Sequence, residues 1–243
     1  MNKIFDRRNF WAKHFAHQFL KYPKEPAKAL DFSNETLMSQ VHDIIIEALK
    51  NENCKIILDG GTGLGCLIEK IESKCKSSDD EIEIYGIDIS FEMLRRASRK
   101  HYGASISAVF FLMDLTSTGF KDNCFDCCIC SESLQYTEPF LALKELIRIS
   151  NRLLIISVPN YYDPIIQRAI KRNNENYEGI IIEQLIEFIT NHDRFKMMEI
   201  YPLIFAKNQN CNPYKKMDYF EYDKLSSDHQ KNANRFILKL KLQ

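Results

Sequence analysis

The sequence predicts an α/β protein built on a mostly parallel sheet, and three observations carry that expectation. Short apolar runs alternate with segments of helical period along most of the chain, the pattern of repeated strand–helix–strand crossovers. From Lys55 to Gly65 an apolar run passes into a loop that holds four of the eight glycines, and a helix-like pattern begins at Leu64. The first three of these runs each end on a carboxylate, at Asp59, Asp88 and Asp114.

Composition narrows the function classes. At 243 residues with 45% hydrophobic and 27% charged residues, the chain is long enough for a full α/β core. Lys plus Arg equals Asp plus Glu, so no global field draws nucleic acid, which is disfavoured as a partner. No apolar run reaches the roughly 18–20 residues of a membrane span, and the start lacks a signal-peptide segment, so a cytoplasmic location is expected.

Residues 1–50 are read as an N-terminal helical cap and 51–243 as the core, with 206–233 an insertion before the final strand. Within residues 1–30, seven Lys/Arg face two acidic residues, and Trp11, Phe15 and Phe19 recur at helical spacing. This amphipathic segment reads as a helix packed on the core or as a lid over a cofactor cleft, its basic face suited to an acidic carrier. His14 and His17 lack a third ligand, and no metal is expected. Pro23 and Pro26 interrupt the helix, and a second one is expected from about Glu35 to Lys50.

The first strand follows at Lys55–Asp59, then the glycine loop and a helix through Leu67, Ile68 and Ile71. A glycine cluster at that junction allows positive φ and close approach of a ligand to the main chain. A dinucleotide loop would place a third glycine where Cys66 stands, and no Lys-Ser or Lys-Thr follows, as a P-loop requires. Asp59 at the strand end repels a phosphate and favours a cation such as a sulfonium or an α-ammonium group.

Ile82–Asp88 reads as the second strand, its terminal carboxylate placed to accept from ribose hydroxyls; Ser90 is available to cap the helix Phe91–His101 that follows. Met93 lies in that helix's first turn. Ala108–Met113 reads as a third, buried strand ending at Asp114, which can accept from an adenine amino group. The fourth strand contains Cys124, Cys127, Cys128 and Cys130, half of the eight cysteines, read as small hydrophobes of a buried strand rather than metal ligands.

A helix at Phe140–Ser150, a strand at Arg152–Asn160, a helix near Gly179–His192 and a strand at Phe195–Phe205 complete the alternation. The closing Phe236–Leu242 alternates as a strand with one exposed face.

Asp59, Gly61, Gly63 and Gly65 resemble motif I of the class I S-adenosylmethionine-dependent methyltransferases. Phe125-Asp126 and the Glu145/Arg148 pair resemble further motifs of that family. The resemblance spans about residues 50–205 and the final strand. It implies a Rossmann-like seven-stranded sheet of order 3-2-1-4-5-7-6, the last strand antiparallel, with helices on both faces.

It also implies S-adenosylmethionine as cofactor and S-adenosylhomocysteine as product, held by Asp59, Gly60, Gly61, Thr62, Gly63, Gly65, Asp88, Ile89, Met93, Asp114, Leu115 and Ser131. The acceptor would be a small molecule, free or carrier-bound, near Trp11, Glu132, Tyr136 and Tyr161, with Tyr162 beside them. Glu132, Tyr136, His14 and His17 are the candidate bases, none singled out by spacing. Cys130-Ser131-Glu132-Ser133 replaces the D/N-P-P-Y sequence of amino-methylating relatives, which disfavours an adenine or amide acceptor. A subunit that binds the cofactor without transferring its methyl, or a fold that directs a non-methyl reaction, are the competing expectations. The oligomeric state is not legible.

Overall fold

A computed structural model describes residues 10, 12–14, 35–75, 82–103, 108–173, 179–203, 217–218 and 233–243. One sheet organises them. In chain order the elements are α1 (Glu35–Asn51), β1 (Ile56–Gly60), α2 (Cys66–Lys74), β2 (Glu83–Asp88), α3 (Phe91–Lys100), β3 (Ala108–Leu112) and β4 (Phe125–Ser131). A 3-10 turn (Leu134–Tyr136), α4 (Pro139–Ile149), β5 (Ser150–Pro159), α5 (Pro164–Asn173), α6 (Ile182–Thr190), β6 (Phe195–Leu203), β7 (Met217–Asp218) and β8 (Arg235–Leu242) follow. The strand order is β3-β2-β1-β4-β5-β8-β6-β7. β1 to β5 run parallel, and β8 lies antiparallel between β5 and β6.

This is the expected 3-2-1-4-5-7-6 sheet with one addition. Two residues from the 206–233 stretch, Met217 and Asp218, pair antiparallel with Ile200 and Glu199 at the β6 edge.

Period-2 geometry splits the sheet's side chains into two cores. Cys128, Leu154, Ile156, Val158, Leu238 and Leu240 face α4 and α6, meeting Leu143, Leu146, Leu185 and Ile189. Ile57, Ile129, Leu153, Ile155 and Ile237 join Val41, Ile44, Ile45 and Leu49 of α1 and Ile68 and Ile71 of α2. Cys127, Cys128 and Cys130 are fully buried in β4, and burial holds the thiols of Cys128 and Cys130 far above their ordinary range. They are apolar filling, as their strand pattern predicts.

Three expectations need correction. β3 is not a buried strand: Val109 is 42% and Leu112 58% exposed, because the strand order leaves β3 at the sheet edge with only β2 beside it. β8 has no openly exposed face, because Phe236, Leu238 and Leu240 pack into one core and Ile237 into the other. Its Lys239 is only 8% exposed, with Nζ 2.9 Å from Glu52 Oε1 and 3.8 Å from Glu199 Oε2. Lys241 reaches the same Glu52 oxygen at 2.9 Å. Finally, α5 is a helix that the sequence reading lacks. Asp163 starts it, its Oδ1 accepting from Ile165 N at 2.8 Å, with Pro164 at the first helical position. That Asp-Pro pair is a start signal available in the sequence.

Among the described residues no helix is long and apolar enough to cross a membrane.

Candidate functional site

The strand order reverses direction between β1 and β4, the position where open α/β sheets form their ligand crevice. The glycine loop sits there. Gly61 N and Thr62 N both donate to Ile87 O, at 2.8 and 2.9 Å, so the loop is tied to the end of β2. Gly61 has φ +75°, and a Cβ there would lie 2.4 Å from Ser133 Cβ and Oγ. Gly63 has φ +56° but open space where its side chain would be, which leaves its main chain approachable. Gly60 packs against Leu115, with a hypothetical Cβ only 2.7 Å from that side chain.

The carboxylates converge on this loop. Asp59 is 2% exposed, and its Oδ2 accepts from Thr62 Oγ1 at 2.7 Å. Burial pushes the Asp59 carboxyl up to about 6, and the charge of Asp88 adds to the rise. Asp88 accepts from Gly63 N at 2.9 Å through Oδ2 and from Ser90 N at 2.8 Å through Oδ1. Burial also raises the Asp88 carboxyl, against the pull of these backbone donors. Ser90, not Asp88, caps α3, its Oγ accepting from Met93 N. Of the roughly four lone-pair sites of the Asp88 carboxylate, the backbone groups of Gly63, Ser90 and Ile89 engage three, which leaves room for a further donor.

Met93 is buried, Ile89 is half-buried, and Asp114 Oδ1 accepts from both Thr116 N and Thr116 Oγ1 at 2.8 Å. Ser131 Oγ lies 3.2 Å from Ser157 Oγ at the ends of β4 and β5.

Ser133, absent from the expected site, joins the halves: its Oγ donates to Gly61 O at 2.9 Å. The loop therefore has partners on β2 and beyond β4, at separations in sequence that no local pattern reveals.

Beyond β4 the acceptor-side candidates divide. Glu132 is 6% exposed with φ +53°, a conformation that costs a non-glycine residue about 1–3 kcal/mol and clusters at functional sites. Its Oε2 accepts from Arg235 Nε at 2.9 Å, and its Oε1 accepts from Ser157 Oγ at 3.3 Å. Arg235 Nη1 also lies 3.7 Å from Asp163 Oδ2, which accepts from Asn234 Nδ2. Glu132 thus links β4 to the start of β8.

Tyr136 packs against Ile166 of α5, as do Phe10, Ala169 and Ile170. The ring of Tyr161 stands 5.4 Å from that of Tyr162, and its carbonyl accepts from Gln167 Nε2. Phe10 and His14 stack at 5.8 Å. Trp11 and His17 lie outside the described residues. Among the described residues no group of three or more His, Cys, Asp or Glu could hold a metal ion.

Residues 58–152 match the family model described as a methyltransferase domain. No curated protein matches the chain. Among solved structures, the magnesium protoporphyrin IX methyltransferase of Synechocystis PCC 6803, with S-adenosylmethionine bound, is 15% identical at a TM-score of 0.62 and covers 100% of both chains. A S-adenosylmethionine-dependent methyltransferase of Thermotoga maritima, described as a possible histamine N-methyltransferase, is 16% identical at 0.61. That match covers 93% of this chain and 99% of the other. The [4+2]-cyclase SpnF is 18% identical at 0.57, over 83% of this chain and 80% of its own. At such identities the likeness is one of fold.

Proposed function

We propose that this chain, whose residues 58–152 match a methyltransferase-domain model, is a class I enzyme that binds S-adenosylmethionine and directs its methyl group to a small-molecule acceptor. The observation that carries this reading is the meeting of Asp59, Asp88 and the open Gly63 turn on one loop at the switch point between β1 and β4. Two carboxylates whose burial resists ionisation gain when a cation arrives, and a phosphate would meet repulsion from both.

The residues fit the cofactor by donor set. Asp59 would face its ammonium group, Asp88 its ribose hydroxyls, Met93 and Asp114 its adenine, and Gly61 and Gly63 its backbone-facing edge. When bound, the cofactor supplies a methyl on an already activated sulfonium. The chain then needs chiefly to align an acceptor and exclude water, an orientation effect of up to about 7–11 kcal/mol.

The acceptor would enter beside Glu132, Tyr136 and Tyr161, with the segment bearing Phe10 and His14 closing over Tyr136 and α5. Packing of Phe10 against Ile166 of α5, the residue that Tyr136 also packs against, supports a covering role for Phe10. A small acceptor, free or carrier-borne, is consistent with the neutral chain, which has no global field to draw nucleic acid. O- or N-methylation both remain within this chemistry.

The likeness to a [4+2]-cyclase supports one competing reading, in which the same pocket serves a reaction without methyl transfer or a regulatory role. Methyl-labelled S-adenosylmethionine separates them. The proposal predicts label recovered in a small-molecule fraction when candidate hydroxyl and amine acceptors are supplied. Tight cofactor binding with no label transferred across such a panel would favour the competing reading.

A further inference from the structure

Behind the glycine loop lies a buried ionisable pair that the cofactor contacts do not use. His101 follows the last residue of α3, and Glu72 lies on α2; the side chains of both are almost fully covered. His101 Nδ1 is 3.0 Å from Glu72 Oε2, and His101 Nε2 is 3.1 Å from Gly65 O. A carbonyl can only accept, so Nε2 carries a hydrogen and donates it to Gly65. The remaining proton lies between Nδ1 and Glu72, whichever atom holds it.

Burying such a pair is costly when leucine-like packing would fill the space, so it asks for a reason. Glu72 gives a hint. Among the described residues its buried Oε1 has no hydrogen-bond partner, and its Oε2 is the oxygen that orients the imidazole. The imidazole also occupies the place of a side chain at residue 65: a Cβ there would lie 2.6 Å from His101 Nε2. Gly65 has φ +71° and precedes α2, its carbonyl also accepting from Glu69 N.

One β2–α3 unit therefore grips the loop along its length, Ile87 O already holding Gly61 N and Thr62 N. Asp88, just before α3, takes Gly63 N, and His101, just after α3, supplies a donor to Gly65 O. We infer that His101, oriented by Glu72, is a positioning residue for the cofactor loop, presetting the Gly63–Gly65 turn so that binding need not order it. This rests on the cofactor reading given above. Preorganisation of this kind raises affinity by removing an ordering cost rather than by adding a contact.

Two substitutions of similar size separate positioning from filling. His101→Gln places an amide nitrogen where Nε2 stands and keeps a donor for Gly65. His101→Asn places its amide where Nδ1 stands, facing Glu72, and loses Gly65. Titration of each with S-adenosylhomocysteine, paired with amide exchange of residues 61–69 in the ligand-free protein, gives the readouts.

The inference predicts His101→Gln within about twofold of wild-type affinity and His101→Asn weaker by about fivefold, with faster exchange in 61–69 for Asn alone. Equal affinities and equal exchange in the two variants would overturn it, leaving His101 as packing. Wild type that binds no S-adenosylhomocysteine would instead remove the cofactor reading, and this inference with it.

Discussion

Gly63 N donates to Asp88 Oδ2 at 2.9 Å, so the end of β2 holds the open turn of the glycine loop through the side chain assigned to the ribose. One carboxylate serves both the shape of the loop and the ligand. A substitution there should reveal both roles.

Asp88→Ala removes the ribose acceptor and one anchor of the turn. Cofactor affinity should fall by the equivalent of about 1.5–3 kcal/mol, the scale of hydrogen bonds to a charged group. Calorimetry against S-adenosylhomocysteine checks it; unchanged affinity would place the nucleoside elsewhere.

Gly61 and Gly63 should respond differently to alanine. Both have positive φ, a strain of about 1–2 kcal/mol for a side chain. At Gly61 the new Cβ also meets Ser133, whereas at Gly63 it meets nothing. Gly61→Ala should therefore destabilise more in urea unfolding, and Ser133→Gly should recover part of that excess, a coupling readable in a double-mutant cycle.

The Asp59 carboxyl gives a pH signature with a definite sign. Burial lifts it from 3.8 to about 6, so the folded protein holds this proton more tightly than the unfolded chain. The associated stability is fully present below about 3.8 and is lost as pH rises through about 6, roughly 3 kcal/mol in total. The unliganded wild type should lose stability across that window more steeply than Asp59→Asn. Binding of a cationic cofactor should strengthen over the same interval, as the ionised carboxylate becomes available. Thermal melts and titrations between pH 4 and 7 (about the window of the shift) would show parallel behaviour of the two proteins if Asp59 were indifferent.

Arg235 and Glu132 form a covered ion pair at 2.9 Å. Arg235→Ala leaves the Glu132 charge buried beside Asp163 and should cost about 3 kcal/mol or more, with Glu132→Gln in the same chain returning part of it. Denaturant unfolding of the single and double variants measures this; additive losses would mean that the two side chains do not depend on each other.

The sequence made the strands at Asp59, Asp88 and Asp114 readable because each is a local apolar run with a local stop. It could not rank them within the sheet. Val109 and Leu112 look as apolar as Ile57 and Leu58, yet β3 lies at an edge and β1 at the centre, a matter of topology alone. Lys239 and Lys241 read as a solvent face because alternation does not reveal that Glu52 waits opposite. The partners that shape the site are distant: Ser133 and Gly61 are 72 residues apart, His101 and Gly65 36, Arg235 and Glu132 103. By contrast the turn glycines and Asp88 were readable because their chemistry is written within one strand–turn–helix unit.

The most direct measurement is calorimetric titration of the purified chain with S-adenosylmethionine and, separately, S-adenosylhomocysteine. The account predicts one site per chain with dissociation constants in the micromolar range for both, weakened in Asp88→Ala. Absence of binding to either ligand by the wild-type protein would contradict it.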